Sequence, residues 1–108
     1  MPLYMTQFSY TSEAWAALAK NPADRSIALK ALIEKFGGRL ISFYYIFGDY
    51  DGFLIYEIPD NTTAMAAVLA GIAPGHLKST KTTVLFSPEQ GMEALKKAGT
   101  VAFPAPSK

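Results

Sequence analysis

The stretch "YYIFGDYDGFLIYEIPD", Tyr44 to Asp60, joins two apolar runs through a short segment that holds two glycines and two aspartates. Glycine reaches backbone angles that other residues avoid, and aspartate side chains accept hydrogen bonds from neighbouring backbone in turns. The pattern therefore predicts two strands joined by a tight hairpin at "GDYDG". Alternate carboxylates near a turn can also serve as an acid and base pair, so Asp51 is kept as a candidate catalytic residue.

Both strands beside this bend carry apolar or aromatic side chains on both faces. Strict alternation divides the first strand into Ile41, Phe43, Tyr45 and Phe47 on one face and Leu40, Tyr44 and Ile46 on the other. It divides the second into Phe53, Ile55 and Glu57 against Leu54, Tyr56 and Ile58. A strand that is apolar on both faces is usually covered on both faces.

Upstream, the residues from Leu3 to Tyr10 read as a strand, and Thr11 or Ser12 can cap a short helix after it. Asn21 is the predicted cap of a second helical segment with Pro22 in its first position. The apolar residues of that segment follow the spacing of a helix lying on a core, and its end is predicted at Gly37-Gly38. They are Leu29, Leu32, Ile33 and Phe36.

Downstream, Asp60 is the predicted cap of a helix whose apolar stripe is Met65, Val68, Leu69 and Ile72. A strand rich in Thr and Val follows the turn at Pro74-Gly75. Ser87, with Pro88 after it and Gln90 three residues on, predicts a capped third helix that ends near Gly99. Residues 100–108 form a Pro-rich tail.

The resulting order is strand, helix, strand, strand, helix, strand and an extra helix, which is the ferredoxin-like βαββαβ pattern of an α+β protein. Residues 1–99 form the domain and residues 100–108 the tail. Helices cover one face of such a sheet, so the apolar second face predicts a homodimer in which two sheets stack and enclose a cavity. A higher homo-oligomer is left open.

Composition narrows the classes of function. The chain has 108 residues, 50% of them apolar or aromatic and 18% charged, which suits one domain that buries some surface against another copy. The net charge of +1 comes from scattered residues, so no nucleic-acid or membrane partner is predicted. The absence of cysteine and of a signal-peptide pattern predicts a cytoplasmic protein.

The chain resembles the GYD-domain family. The similarity is carried by "YMTQFSYTSEAW", by Gly48, Tyr50 and Asp51, by "GFLIYEIPD" and by "KTTVLFSPEQGMEALKKAG". It covers about nine tenths of the chain and departs where Ser12 replaces a proline that is frequent in the family. The resemblance implies a dimeric α+β barrel of small bacterial proteins, with no biochemical activity firmly attached.

His76 is the second candidate catalytic residue. Histidine is the side chain that ordinarily titrates near neutrality, and as a general base it would need an acidic proton within hydrogen-bond reach. A histidine at a junction between a loop and a strand is more often solvated than catalytic. One histidine and no cysteine would leave a metal site dependent on carboxylates, so neither a metal nor a cofactor is predicted.

The candidate ligand-binding residues are tyrosines and the polar side of the last strand. Tyrosine offers an apolar ring with a polar tip, and strand alternation puts Lys78, Thr80 and Thr82 on the same face as His76. The residues of opposite parity are an equally open choice for the cavity face, and they are Leu77, Ser79, Lys81 and Thr83. The candidate tyrosines are Tyr4, Tyr44, Tyr45, Tyr50 and Tyr56.

Three functions remain open from the sequence. The leading one is the binding of a small, largely apolar molecule in a cavity between sheets. The second is a cofactor-independent monooxygenase or isomerase on the same scaffold, in which His76 or Asp51 moves a proton. The third is an assembly module that uses the hairpin or the tail, and fold analogy alone does not decide between them.

Overall fold

A computed structural model describes residues 1–106 and confirms the predicted ferredoxin-like α+β fold with an extra C-terminal helix. The elements in chain order are β1 Leu3–Tyr10, α1 Ser12–Lys20, α2 Arg25–Lys35, β2 Arg39–Tyr45, β3 Gly52–Glu57, α3 Asn61–Ile72, β4 Leu77–Leu85 and α4 Pro88–Ala98. The four strands form one sheet in the order β2-β3-β1-β4, and all neighbours are antiparallel. The predicted tail is residues 100–108, and its last two positions, 107 and 108, lie outside the described residues.

The connection between β2 and β3 is longer than the predicted tight hairpin. Residues 46–51 join the strands, and the loop is closed by the Ile46 N–H, which donates to the Asp51 carbonyl over 2.9 Å. Gly48 has a positive φ of 153°, whereas Gly52 does not. Gly52 is required for a different reason, because a Cβ there would lie 2.6 Å from Phe8 Cζ and 2.9 Å from the Tyr44 carbonyl oxygen.

A β-bulge changes the faces of β2. Leu40 pairs with Tyr56 and Ser42 pairs with Ile55, so one extra residue of β2 is accommodated at Ile41. As a result Leu40 lies on the same face as Phe43. The strict alternation predicted for this strand put these two residues on opposite faces, and it is wrong at Leu40. For β3 the predicted alternation is confirmed, since Leu54 and Tyr56 are buried whereas Phe53, Ile55 and Glu57 are half-buried.

The core lies between the helix-covered face of the sheet and the helices. β1 contributes the buried side chains of Tyr4, Phe8 and Tyr10, and β3 contributes Leu54 and Tyr56. From the helices and the segment after β3 come Ala14, Ile33, Ala64, Ala67 and Ile58. The sheet thus supplies the large side chains of the core, and α3 approaches it through alanines.

Two helices differ from their predicted registers. α2 begins at Arg25 with Asp24 as its cap, because the Asp24 carboxylate accepts the Ser26 N–H over 3.0 Å. The predicted cap at Asn21 is therefore wrong. α3 starts after Asp60 as predicted, but it turns its small residues to the sheet and leaves most of the predicted apolar stripe exposed, namely Met65, Leu69 and Ile72.

The second face of the sheet is apolar only in its centre. Alternation and register place Met5, Ile55, Phe53 and Tyr44 together there, and the Tyr44 and Phe53 rings lie 5.6 Å apart. Towards the β4 edge the same face presents polar residues, Ser79, Lys81 and Thr83. The prediction of an apolar second face is confirmed for β3, holds for β1 only in part because Gln7 and Ser9 follow Met5 on that face, and fails for β4.

Candidate ligand-binding site

A cavity of about 250 Å³ opens between the helix-covered face of the sheet, α2 and α3. Most of its wall is aliphatic or aromatic, with Leu29 and Leu32 from α2 and Val68 and Gly71 from α3. It exists because α3 meets the sheet through Ala64 and Ala67, and these short side chains leave the space between the layers unfilled. The cavity therefore belongs to a single chain and does not lie between two sheets.

The sheet side of the cavity carries a hydroxyl network. Thr6 Oγ1 lies 2.8 Å from the Tyr56 hydroxyl and 2.9 Å from Thr82 Oγ1, and each distance is that of a hydrogen bond. Burial raises the pKa of Tyr56, and the hydrogen bonds from the two threonines act in the opposite direction. At neutral pH Tyr56 is a neutral phenol, which can donate a hydrogen bond but cannot act as a base.

The mouth of the cavity is its polar end. Tyr10, Arg25 and His76 line it, with Pro74 beside them, and no carboxylate is among the lining residues that the structure describes. Burial raises the pKa of Tyr10 to about 12, with the Tyr45 phenol acting in the same direction and the Arg25 guanidinium opposing it. The mouth thus presents a fixed cation and a phenolic donor.

Arg25 has no acidic partner in the part of the chain that is described. Residues 1–106 contain two ion pairs, Arg39 with Glu57 and Lys97 with Glu93, and neither involves Arg25. Arg25 is half-buried at the first position of α2. A half-buried guanidinium without a carboxylate partner keeps its hydrogen-bond donors available for an anionic group.

An aromatic cluster supports the wall next to the mouth. The rings of Phe8, Tyr10, Trp15, Phe43 and Tyr45 contact one another in sequence, with centroid distances from 5.0 to 6.0 Å. Such edge-to-face and offset pairs are favourable beyond the area that they bury. Tyr10 belongs both to this cluster and to the cavity wall, so the cluster fixes the position of the phenol.

Asp51 anchors the loop between β2 and β3 to this cluster. Its Oδ2 accepts the Tyr10 backbone N–H over 2.9 Å and the Trp15 indole N–H over 3.1 Å. Its own N–H donates to the Phe8 carbonyl over 2.8 Å. These contacts are those of a structural anchor, whereas a catalytic role for Asp51 stays a prediction, and the neighbouring Asp49 is exposed in the loop.

The structure brings together some of the residues predicted for the site and separates others. His76, Thr80 and Tyr56 line the cavity. Tyr4 and Thr82 line a second groove on the other side of α3, where the Tyr4 hydroxyl donates to Asn61 Oδ1 over 2.6 Å. The remaining candidates lie away from the lining of either space, and these are Tyr44, Tyr45, Tyr50 and Lys78.

A bulge explains why Lys78 is separated from Thr80. Ser9 pairs with Ser79 and Tyr10 pairs with Leu77, so Lys78 is the extra residue of β4 and parity does not continue through it. Of the two open choices of face, Thr80 and Thr82 lie on the helix-covered side. The sequence did not indicate that Tyr10 or Arg25 belongs to the site. The predicted start of α2 at Pro22 put Arg25 inside the helix, and nothing in the pattern indicated that this side chain reaches β1.

Two further classes of site find no support in residues 1–106. No three side chains of His, Cys, Asp or Glu in this part of the chain come close enough to share a metal ion. Nor does this part contain a helix with the length and apolar character needed to cross a bilayer.

The fold and the cavity define a small ferredoxin-like α+β protein with a pocket between its layers. The match to the GYD domain model covers residues 4–95, and the chain therefore belongs to the GYD domain family. A search of the curated proteins gives no match.

Two similar solved structures support the fold. TTHA0845 from Thermus thermophilus is 18% identical, with 81% of this chain and 95% of that chain covered and a TM-score of 0.52. FFRP-DM1 is 15% identical, with 80% and 100% covered and a TM-score of 0.51. At these identities the likeness concerns the fold alone.

Proposed function

We propose that this protein binds a small, largely apolar molecule with an anionic or carbonyl end in the cavity between α2, α3 and the sheet. The observation that carries the proposal is a largely aliphatic cavity lined by the Arg25 cation and the Tyr10 phenol, in which the hydroxyls of Thr6 and Tyr56 already bond each other. Ligand sites are typically apolar clefts with a few polar groups that orient the ligand. The volume of about 250 Å³ lies just below the usual range of about 300–1,000 Å³, which restricts the ligand to a small molecule.

The polar end selects the orientation of the ligand. Arg25 and the Tyr10 phenol would hold a carboxylate or a carbonyl oxygen at the mouth, and the apolar body would lie against Leu29, Leu32 and Val68. The hydroxyls of Thr6 and Tyr56 already bond each other, so the deep end requires little of a ligand beyond apolar surface. This division of the wall favours an amphipathic ligand over a polar one.

A cofactor-free enzyme on the same site is the second candidate. It is supported by His76, which lines the same cavity as the Arg25 cation that would stabilise an enolate. A general base is normally oriented by a third group, and the His76 side chain has no such hydrogen-bond partner within residues 1–106. For this reason the binding function is preferred.

Affinity for model ligands tests the binding function. In calorimetric titrations with phenylacetate and its neutral amide, Ala28→Phe is expected to lower the affinity for both at least tenfold, because Ala28 lines the cavity. Ala31→Phe is the matched control, since Ala31 is exposed on the same helix outside the lining. Equal affinities of the two variants, or no binding by the wild type and no compound copurifying with it, would refute the proposal.

Arg25→Gln separates the polar end from the apolar wall. The variant is expected to lose about tenfold in affinity for phenylacetate, since a hydrogen bond to a charged group is worth about 1.5–3 kcal/mol, and to bind the amide nearly as the wild type does. An equal loss for both probes would assign Arg25 a structural role. If the wild type turns over a bound compound and His76→Ala loses that turnover while binding the compound as before, the second candidate function, a cofactor-free enzyme, would be favoured.

We further propose a homodimer that covers the apolar centre of the second sheet face. The support is the patch around Met5, Phe53 and Ile55, which a monomer would leave facing water. Sedimentation equilibrium at micromolar concentration is expected to give twice the 11.7 kDa chain mass. Ile55→Glu should weaken association at least tenfold while Ser79→Glu, which lies opposite Ser9 near the start of β4, should not, and a monomeric wild type would contradict the proposal.

A further inference from the structure

The C-terminal helix α4 is a well-formed helix that makes few contacts with the rest of residues 1–106. Ser87 Oγ accepts the Gln90 N–H over 3.1 Å, and Gln90 Oε1 accepts the Ser87 N–H over 2.8 Å, so the predicted capping box is confirmed. Glu93 and Lys97 pair along the helix. Nevertheless no residue of α4 is buried.

α4 has one apolar face. Met92 and Leu95 are 55% and 68% exposed, and Val101 and Phe103 continue the apolar surface beyond the helix with 72% and 92% exposed. Charged residues occupy the rest of the helix surface, and they are Glu89, Glu93, Lys96 and Lys97. A helix with this distribution is stabilised by burying its apolar face against another element.

The shape of the chain shows that α4 and the residues after it project from the domain. The principal extents are 60 × 36 × 21 Å and the radius of gyration is 17.8 Å. A compact domain of this length has a radius of gyration of about 13 Å. We call residues 86–103 the C-terminal arm.

A groove on the helix-covered side of the sheet matches the arm in chemistry. The groove lies between α3 and β4, encloses about 250 Å³ and is lined by Tyr4, Met65, Val68, Thr82 and Val84 among others. Its polar atoms are already engaged, since the Tyr4 hydroxyl donates to Asn61 and Thr82 Oγ1 bonds Thr6. What the groove offers to a partner is therefore apolar surface, which fits a helix face better than a polar ligand.

The exposed side of α3 extends this groove. Met65 is 64% exposed and Leu69, one turn further on, is 52% exposed, while Val84 on the strand opposite is 42% exposed. Together they form an apolar strip along the helix, of the kind into which a second amphipathic helix packs.

The arm does not occupy the groove of its own chain in the geometry observed. Only Phe86 and Ser87 separate β4 from α4, and no residue of the arm is among those that line the groove. The chain thus carries a donor helix and an acceptor groove that do not meet. In a two-fold dimer each arm can occupy the groove of the other copy, which satisfies both surfaces twice with one contact.

We infer that the C-terminal arm of one chain packs its Met92–Leu95 face into the groove between α3 and β4 of a second copy. The exchange buries surface that the sheet-face contact does not use, and the groove shares Val68 alone with the lining of the ligand cavity. It also adds a helix to the layer beside α3, where β4 is otherwise uncovered.

Disulfide trapping tests the inference cleanly because the chain has no cysteine of its own. Full-length Met65→Cys and Leu95→Cys chains are mixed, refolding is checked by circular dichroism, and mild oxidation is followed on non-reducing gels. In an equal mixture we expect a disulfide-linked heterodimer for up to about half of the protein, which is the statistical share of mixed dimers. The matched control pairs Leu95→Cys with Ile27→Cys, an equally exposed position at 69% on α2 outside the groove, and should give none.

The chain that carries both Met65→Cys and Leu95→Cys identifies where the arm goes. Linked dimers support exchange, whereas a monomer with an internal disulfide would show that the arm folds onto its own domain and would overturn the inference. Absence of the 65–95 disulfide in folded protein would overturn it as well, including when sedimentation still reports a dimer, because that dimer would use the sheet face.

Discussion

Gly38→Ala is expected to destabilise the protein by about 3 kcal/mol or more, at the upper end of what added volume in a packed site costs. A Cβ at Gly38 would lie 2.2 Å from the Glu57 backbone carbonyl oxygen, 2.9 Å from Ile58 Cγ1 and 3.0 Å from Ile33 Cγ2. The first of these neighbours is the backbone of β3, so it cannot move aside by a change of rotamer. The cause is crowding, because φ at this glycine is not positive.

The measurement is the free energy of unfolding in urea, followed by circular dichroism. Gly91→Ala is the matched control, since nothing lies within 4 Å of a Cβ built there and the residue is inside α4. Alanine in a helix interior is favoured over glycine by about 0.5–1 kcal/mol, so this control should leave stability unchanged or raise it. Equal stabilities of the two variants would mean that β3 does not approach Gly38 as closely as the structure indicates.

Asp51→Ala is expected to lower the free energy of unfolding by about 2 kcal/mol. The substitution removes the acceptor of the Tyr10 backbone N–H and of the Trp15 indole N–H, and hydrogen bonds to a charged group are worth about 1.5–3 kcal/mol. The value stays near the lower end because the bond to Trp15 is exposed. Trp15 fluorescence should change in the same variant, since this is the single tryptophan of the chain.

Asp49→Ala provides the comparison for Asp51. Both aspartates belong to the loop between β2 and β3, but Asp49 is exposed and lacks the side-chain contacts with β1 and α1 that Asp51 makes. An exposed substitution of this kind usually changes stability by less than about 0.5 kcal/mol. Should Asp51→Ala leave both the unfolding curve and the Trp15 spectrum as they are in Asp49→Ala, the anchoring role would be wrong.

These two sites connect the fold to the proposed cavity. The anchor at Asp51 holds the end of β1, where Tyr10 faces the mouth, and Gly38 fixes the approach of the α2–β2 junction to β3. Any Asp51 variant that still folds is therefore expected to lose ligand affinity, but less than Arg25→Gln does. This loss separates a structural contribution to the site from the direct contact proposed for Arg25.

Much of the fold could be predicted because its signals are local. The caps at Thr11, Asp60 and Ser87 are side-chain to backbone bonds that each span three residues, and all three are observed. The alternation in β3 is confirmed because every residue of that strand pairs in register. A local pattern is reliable when no distant contact competes with it.

The candidate site was predicted less well, since its position depends on irregularities that alternation cannot reveal. The bulges at Ile41 and Lys78 shift one part of each strand against the other, and the bulge at Lys78 separates that residue from Thr80. Asn21 and Asp24 are both residue types that cap helices, and the sequence does not distinguish between them. The observed cap at Asp24 makes Arg25 the first residue of α2, at the mouth of the cavity. Both are decided by how the elements meet.

The sequence alone was enough to predict the order of the elements, three of the four helix caps and the membership in the GYD domain family, because each of these depends on short-range chemistry or on an ordered set of motifs. The packed structure was needed to show that the cavity lies beneath the helices, that Asp51 holds Tyr10 and Trp15, and that α4 stands apart from its own domain. The physical reason is that these features arise where distant segments pack, and the alanine face of α3 leaves a space that no periodicity in one segment can indicate.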